Sequence, residues 1–152
     1  LAGKKDAADY KVYTLLGDGE LAEGSNWEAS LAAAHYRLDN LTAIVDRNTL
    51  QITGRTKDVC ALEPLVDKFT AFGWSVRSAD GHDVAALTEA LRKVPFEEGK
   101  PSLVIARTVK GKGVTFMEDI PNWHHRVPTD EEFERAMREL DEAQALLEAQ
   151  SE

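Results

Sequence analysis

Cysteine is almost missing from this chain: Cys60 is the only one in 152 residues. A disulfide framework is therefore excluded, and a reducing compartment, hence a cytoplasmic location, is the expectation. No apolar run approaches the roughly 18 residues that a membrane-spanning helix needs, so no membrane partner is expected. Basic charge is in deficit, with 18 Lys and Arg against 27 Asp and Glu and a formal net charge of -9. Nucleic acid needs a basic face to neutralise phosphates, so that class of partner is set aside. An anionic small ligand remains, since it requires only local positive charge or a metal. Methionine is scarce and absent from position 1. The opening Leu1-Ala2-Gly3-Lys4-Lys5 carries no apolar signal core, and the expectation is that upstream sequence has been lost or trimmed. Internal repeats and low-complexity segments are also lacking.

What is present is a 43% hydrophobic content, enough for one core and one domain over residues 1–152. Residues 10–16 read as a short buried strand closed by glycine. Ser25 and Glu28 have the spacing of a capping box, opening a helix with Trp27, Leu31, Ala34 and Leu38 on one face. Residues 41–45 form a second strand. Residues 48–62 show no period and read as a long loop, a length that is often functional. Pro64 starts a short helix ending near Phe72-Gly73, and a third strand begins at Trp74-Ser75-Val76. Asp83 caps a helix with Val84, Leu87, Leu91 and Val94 on one face. Residues 102–106 are a fourth strand, and residues 110–126 are irregular. Thr129 and Glu132 form another capping box, opening a C-terminal helix over about 129–149 whose tail frays from Gln144. Strands alternating with helices predict an α/β fold, a parallel sheet with helices on both faces.

Ligands of such sheets bind at the carboxyl ends of the strands. Gly17-Asp18-Gly19, Asn48, Asp80-Gly81-His82 and Lys110-Gly111-Lys112 all fall there. Asp18 follows one apolar run, Val12-Tyr13-Thr14-Leu15-Leu16. Asn48 follows the next, Leu41-Thr42-Ala43-Ile44-Val45. A carboxylate and a carboxamide at one sheet edge, beside glycines that permit close backbone approach, suit a hard divalent cation carrying a phosphorylated ligand. A Gly-Asp-Gly turn by itself is weak, because aspartate commonly bonds its own backbone in such turns.

The stretch Gly17-Asp18-Gly19-Glu20-Leu21-Ala22-Glu23-Gly24, with Asp46-Arg47-Asn48, resembles the thiamine-diphosphate fingerprint. Ser25-Asn26-Trp27-Glu28-Ala29, Asp80-Gly81-His82-Asp83, Lys110-Gly111-Lys112-Gly113 and Trp123-His124-His125 resemble transketolase. The likeness is greatest to the N-terminal subunit of two-subunit prokaryotic transketolases and spans about residues 1–140. It implies a partial thiamine-diphosphate-binding fold. It implies Mg²⁺ (or Ca²⁺) held by Asp18, Asn48 and the main-chain carbonyl of Leu50. It implies thiamine diphosphate against Gly17, Gly19, Asn48 and Lys110, and His124 as a catalytic residue touching cofactor and sugar. Glu23 and Glu28 match acidic residues that join paired active sites across an oligomer interface. The expected partners are sugar phosphates and a C-terminal subunit or pyrimidine-binding domain, in a homo- or hetero-oligomer. The expected reaction is transfer of a two-carbon ketol unit, with the chain inactive alone. One departure is Asn48-Thr49, where many relatives have Asn-Gly or Asn-Asn.

Other readings stay open. A deoxyxylulose-phosphate-synthase-like component would use the same cofactor, though the Ser25-Asn26-Trp27 and Trp123-His124 contexts favour transketolase. A non-catalytic α/β interaction module left by truncation is the alternative from a different class. Glu28 divides evenly between completing the helix cap and the interface. Outside the resemblance, His124 and Lys110 read as surface-loop residues, and Cys60 as a small core or loop residue.

Overall fold

In a computed structural model, which describes residues 1–149, four parallel strands form the sheet. They are β1 (Val12–Gly17), β2 (Leu41–Arg47), β5 (Ser75–Asp80) and β6 (Ser102–Arg107), in the spatial order β1-β2-β6-β5. A short hairpin of β3 (Leu50–Gln51) and β4 (Gly54–Arg55) stands apart. The helices are α1 (Ala2–Lys5), α2 (Gly24–His35), α3 (Thr56–Val59), α4 (Leu65–Ala71), α5 (Val84–Arg92) and α6 (Asp130–Ala149). Right-handed crossovers put α2 and α4 on one face and α5 on the other, because the path reverses direction between β5 and β6. The expected α/β sheet is therefore present.

The main core lies under α2 and α4. Ala33 and Leu38 meet Ala43 and Val45 of β2, Leu103 and Ile105 of β6, and Leu65 and Phe69 of α4. Alternation along β2 and β6 turns these residues to one face, as the period-two geometry requires. Phe69 stacks between Trp27 (centroids 5.3 Å apart) and Trp74 (5.7 Å). Each indole N–H is satisfied inside: Trp27 Nε1 donates to the Leu21 carbonyl at 2.7 Å, and Trp74 Nε1 to the Ser30 carbonyl at 2.9 Å.

Several local expectations change. The strand read at residues 10–16 starts at Val12 and is not buried: it is an edge, with Leu15 70% exposed and Tyr13 49%. An apolar run is buried only where both faces are covered, and nothing among the described residues covers the Tyr13–Leu15 face. Ser25 and Glu28 form no capping box. A 3₁₀ turn over Gly19–Ala22 runs straight into α2, so Ser25 lies inside the helix, and Glu23 takes the cap position without a side-chain bond. The buried stripe of α2 passes through Ser30 and Ala33, leaving Leu31 exposed. Residues 48–62 are not a plain loop but contain the β3–β4 hairpin and the α3 turn. Asp83 caps α5 by accepting from the Ala86 amide at 2.9 Å, but Val94 is buried beyond the helix end. The Thr129–Glu132 capping box forms in both directions. Helix α6 persists past Gln144, whose side chain bonds Glu148 one turn on at 2.8 Å. The last part of the fraying expectation, residues 150–152, lies outside the described residues.

Candidate functional site

Parallel strands carry their carboxyl ends to one edge, and Asp18 and Asn48 stand there at the ends of neighbouring strands β1 and β2. Asp18 is 1% exposed and Asn48 5%. The Asp18 carboxylate is used unequally. Its Oδ2 accepts from Arg47 Nη1 at 2.6 Å and from the Thr49 amide at 2.6 Å. Its Oδ1 is buried and has no hydrogen-bond partner. A buried carboxylate oxygen without a partner is costly unless something else binds it.

Asn48 is aimed by its neighbours. Its Nδ2 donates to Asp46 Oδ2 at 3.1 Å, and its Oδ1 accepts from the Leu50 amide at 3.0 Å. Asp46 is itself pinned by the Thr108 hydroxyl just past the end of β6. Thr49 adopts a left-handed backbone, φ 68°, which a β-branched residue rarely tolerates. Its amide bond to Asp18, its carbonyl bond from the Thr56 amide at 2.9 Å and its hydroxyl bond from Arg55 at 3.1 Å hold it there. A glycine at this place would take that φ freely.

The two glycines beside Asp18 differ. A Cβ on Gly19 would come within 2.7 Å of Gln51 Cβ, so hairpin and turn touch only because Gly19 has no side chain. A Cβ on Gly17 would meet nothing within 4 Å, so no steric reason for that glycine arises from the described residues. Its amide donates to Glu20 Oε2 at 3.1 Å.

His124 closes the 3₁₀ turn Pro121–His124, which packs against β3 and β4. Arg55 anchors the approach to that turn through a bidentate pair with Asp119, at 2.5 and 2.6 Å. Burial, then the Lys110 ammonium and repulsion from the neighbouring His125, push the His124 imidazole below its ordinary pKa, and the Asp18 carboxylate opposes them. His124, Lys110 and Asp18 thus share one electrostatic neighbourhood. The imidazole is neutral at pH 7. Because the native pKa lies below the unfolded value of about 6.5, the unfolded chain binds more protons between the two. Stability therefore rises with pH through that window, and the penalty is complete below the native pKa. NMR titration of the His124 ring should give a midpoint below 6.5, and a midpoint at or above it would overturn the assignment.

Glu23 and Glu28 are exposed, on and beside the first turns of α2, next to the exposed Ala29, Leu31 and Ala32. Asp80-Gly81-His82 serves the frame: the His82 amide bonds Asp80 Oδ1 at 2.9 Å, and His82 Nε2 accepts from the Val109 amide at 2.8 Å. Cys60 is exposed just after α3. Sequence reasoning gave no role to Asp46, Arg47 or Thr108. The available signal was a charged pair, Asp46-Arg47, directly following the apolar run 41–45 and closing β2.

Among the described residues no three His, Cys, Asp or Glu side chains cluster to cage a metal. At this edge the donor set is the partnerless carboxylate oxygen of Asp18 and the carboxamide oxygen of Asn48, which accepts from the Leu50 amide. Such hard-oxygen donors suit a Mg²⁺ ion.

The family model described as transketolase, thiamine diphosphate binding domain, matches residues 2–142. The chain is similar to an apulose-4-phosphate transketolase subunit of Phocaeicola vulgatus, 48% identical over 151 residues, covering 99% of this chain and 54% of that protein. It is also similar to a 6-deoxy-6-sulfo-D-fructose transketolase subunit of a Clostridium species, 42% identical, covering 93% and 51%. Among solved structures, the transketolase of Campylobacter jejuni superposes with a TM-score of 0.81 at 33% identity, over 90% of this chain and 21% of that one. The chain spans about half the length of the curated relatives it matches.

Proposed function

The chain belongs to the transketolase family through its thiamine-diphosphate-binding domain, and from that premise we propose that it works in Mg²⁺-dependent transfer of a two-carbon ketol unit from a ketose phosphate to an aldose phosphate. The observation that carries this reading is the buried, partnerless Oδ1 of Asp18 at the carboxyl edge of the sheet. Asp18, Asn48 and the Leu50 carbonyl would hold Mg²⁺, with Ca²⁺ as a substitute. Gly19 would lie against the diphosphate through its backbone. Lys110 would add positive charge near the phosphates. Bound thiamine diphosphate supplies the electron sink for the two-carbon fragment. His124, held neutral, offers one donor and one acceptor to the sugar.

The names of the relatives, which call them subunits, support a partner chain that would bring the pyrimidine-binding domain. The exposed α2 face with Glu23 and Glu28 is the contact surface in this reading, its Ala29 and Ala32 permitting close helix approach. Those relatives are named for different sugars, which supports a ketose substrate as a class.

The test is calorimetric titration of thiamine diphosphate, with and without Mg²⁺, into the chain assembled with its partner. Cofactor binding that requires the cation, and ketol transfer by the assembly but not by the chain alone, are expected. Binding indifferent to divalent cation, or robust transfer by the isolated chain, would defeat the reading.

A further inference from the structure

The segment from Thr115 to Arg126, which carries His124, is fastened to α6 by a stack of four flat groups. Arg135 of α6 lies over Phe116, its guanidinium carbon 4.6 Å from the ring centroid. Phe116 meets Trp123 edge-on, with centroids 5.4 Å apart and planes at 66°. Arg126 covers Trp123 at 4.3 Å. Both outer members are tied to carboxylates of the helix. Arg126 Nη2 donates to both oxygens of Glu132 at 2.6 Å, and Arg135 Nε donates to Glu139 Oε1 at 2.9 Å. Glu139 also accepts from the Thr115 amide at 2.6 Å and the Thr115 hydroxyl at 3.0 Å, so the segment is held at its start as well. A guanidinium is drawn to the negative face of an aromatic ring, and its planarity lets a carboxylate bind the edge without disturbing the stack.

We infer that Trp123 is a positioning residue: gripped between Phe116 and Arg126, it fixes the turn that presents the His124 imidazole to the sugar. The inference rests on the proposed contact of His124 with the sugar, and adds a residue and a helix on which that contact depends. Trp123 directly precedes His124 in the 3₁₀ turn Pro121–His124. A turn this short has few bonds of its own; the Trp123 amide reaches the Ile120 carbonyl at 3.1 Å. Its direction is therefore set by the side chains that grip it. The grip lies outside the main core, with the Arg126 side chain 43% exposed and Arg135 55%. Loosening it opens no core cavity and leaves global stability little changed, while the turn gains freedom.

The experiment compares wild type, Trp123→Ala, Trp123→Phe, Arg126→Gln, His124→Ala and the double variant Trp123→Ala/His124→Ala, each assembled with the partner chain. Thermal unfolding and kcat/KM over a panel of ketose phosphates are measured on all, and NMR titration of the His124 ring on those that keep it. Trp123→Ala should lower kcat/KM by up to about 100-fold, the scale for a reacting group moved by an ångström. Its His124 midpoint should rise toward about 6.5 as the ring gains solvent. Trp123→Phe keeps a flat face for Arg126 and should recover most of both. Arg126→Gln removes the outer plane and should move both in the same direction as Trp123→Ala, less far. In the double variant, Trp123→Ala should add nothing to the loss from His124→Ala, since a residue acting through another has no effect once the other is gone. Full additivity of the two losses would mean a merely structural role and overturn the inference, as would an unmoved His124 midpoint in Trp123→Ala. If Trp123→Ala does not fold, an unmoved midpoint with unchanged kcat/KM in Arg126→Gln overturns it. A wild-type assembly that transfers no ketol unit from any sugar of the panel would instead defeat the functional reading, and the inference with it.

Discussion

Asp18→Asn is expected to lose Mg²⁺-dependent cofactor binding by at least about 100-fold, beyond the 10–100-fold scale of groups that only orient a ligand. The substitution is nearly isosteric. Its amide oxygen can still accept from Arg47 and Thr49, so the turn keeps the bonds made by Oδ2. What changes is the atom at the Oδ1 position: an NH₂ donor would face the cation in place of a charged acceptor. Asp18→Ala would mix two effects. It removes the ligand but also strips the partner from Arg47 and from the Thr49 amide, which is held at φ 68°. An unsatisfied buried donor costs about 1–3 kcal/mol, and Glu63 continues to hold the arginine, so the protein should fold with a lowered Tm. Asn48→Ala removes a neutral ligand and should weaken binding less than Asp18→Asn, while costing stability through the freed Leu50 amide. Titration of thiamine diphosphate at limiting Mg²⁺ reads all three. Asp18→Asn binding like wild type would show that Asp18 is not the cation ligand.

The carboxyl-edge placement of the site was legible because strand ends are marked locally. Gly17 and Asn48 each stand at or just past the end of an apolar run, Lys110 follows closely on another, and Asp80 ends a strand of mixed polarity, Ser75–Asp80. Parallel topology then does the gathering. Burial of β1 was not legible. Val12-Tyr13-Thr14-Leu15-Leu16 has the composition of a central strand, but burial depends on which neighbours lie beside it, and here β1 is an edge. The start of α2 was misread for a related reason: Ser25 and Glu28 have capping spacing, yet the preceding 3₁₀ turn already fixes where the helix begins. The Thr129–Glu132 box, with no turn running straight into it, formed as its spacing implies. The Arg47–Asp18 pair spans 29 residues, and no local pattern connects them. Only the β1–β2 register, with Gly17 opposite Asp46, brings the two together.

Phe69→Ala is expected to cost about 3–5 kcal/mol, the usual range for truncating a buried phenylalanine, or a fall of roughly 6–20 °C in Tm for a chain of this size. Phe69 is 2% exposed and touches both indoles of the core, so the ring has no solvent into which the surroundings could relax. Aromatic geometry adds to the area term: the edge-on approach to Trp74 is lost with the ring. The loss should also reach the functional edge. Trp27 leans on Phe69 and holds the Leu21 carbonyl through its indole N–H, while the Leu21 amide bonds back to the Asp18 carbonyl at 3.2 Å. Cavity formation behind Trp27 therefore loosens the turn that presents Asp18. Phe69→Leu keeps much of the volume and should cost clearly less on both measures. Thermal unfolding and cofactor titration of the two variants separate core from site. A Phe69→Ala protein melting within about 2 °C of wild type, by the same scale, would mean that this aromatic stack is not the centre of the core.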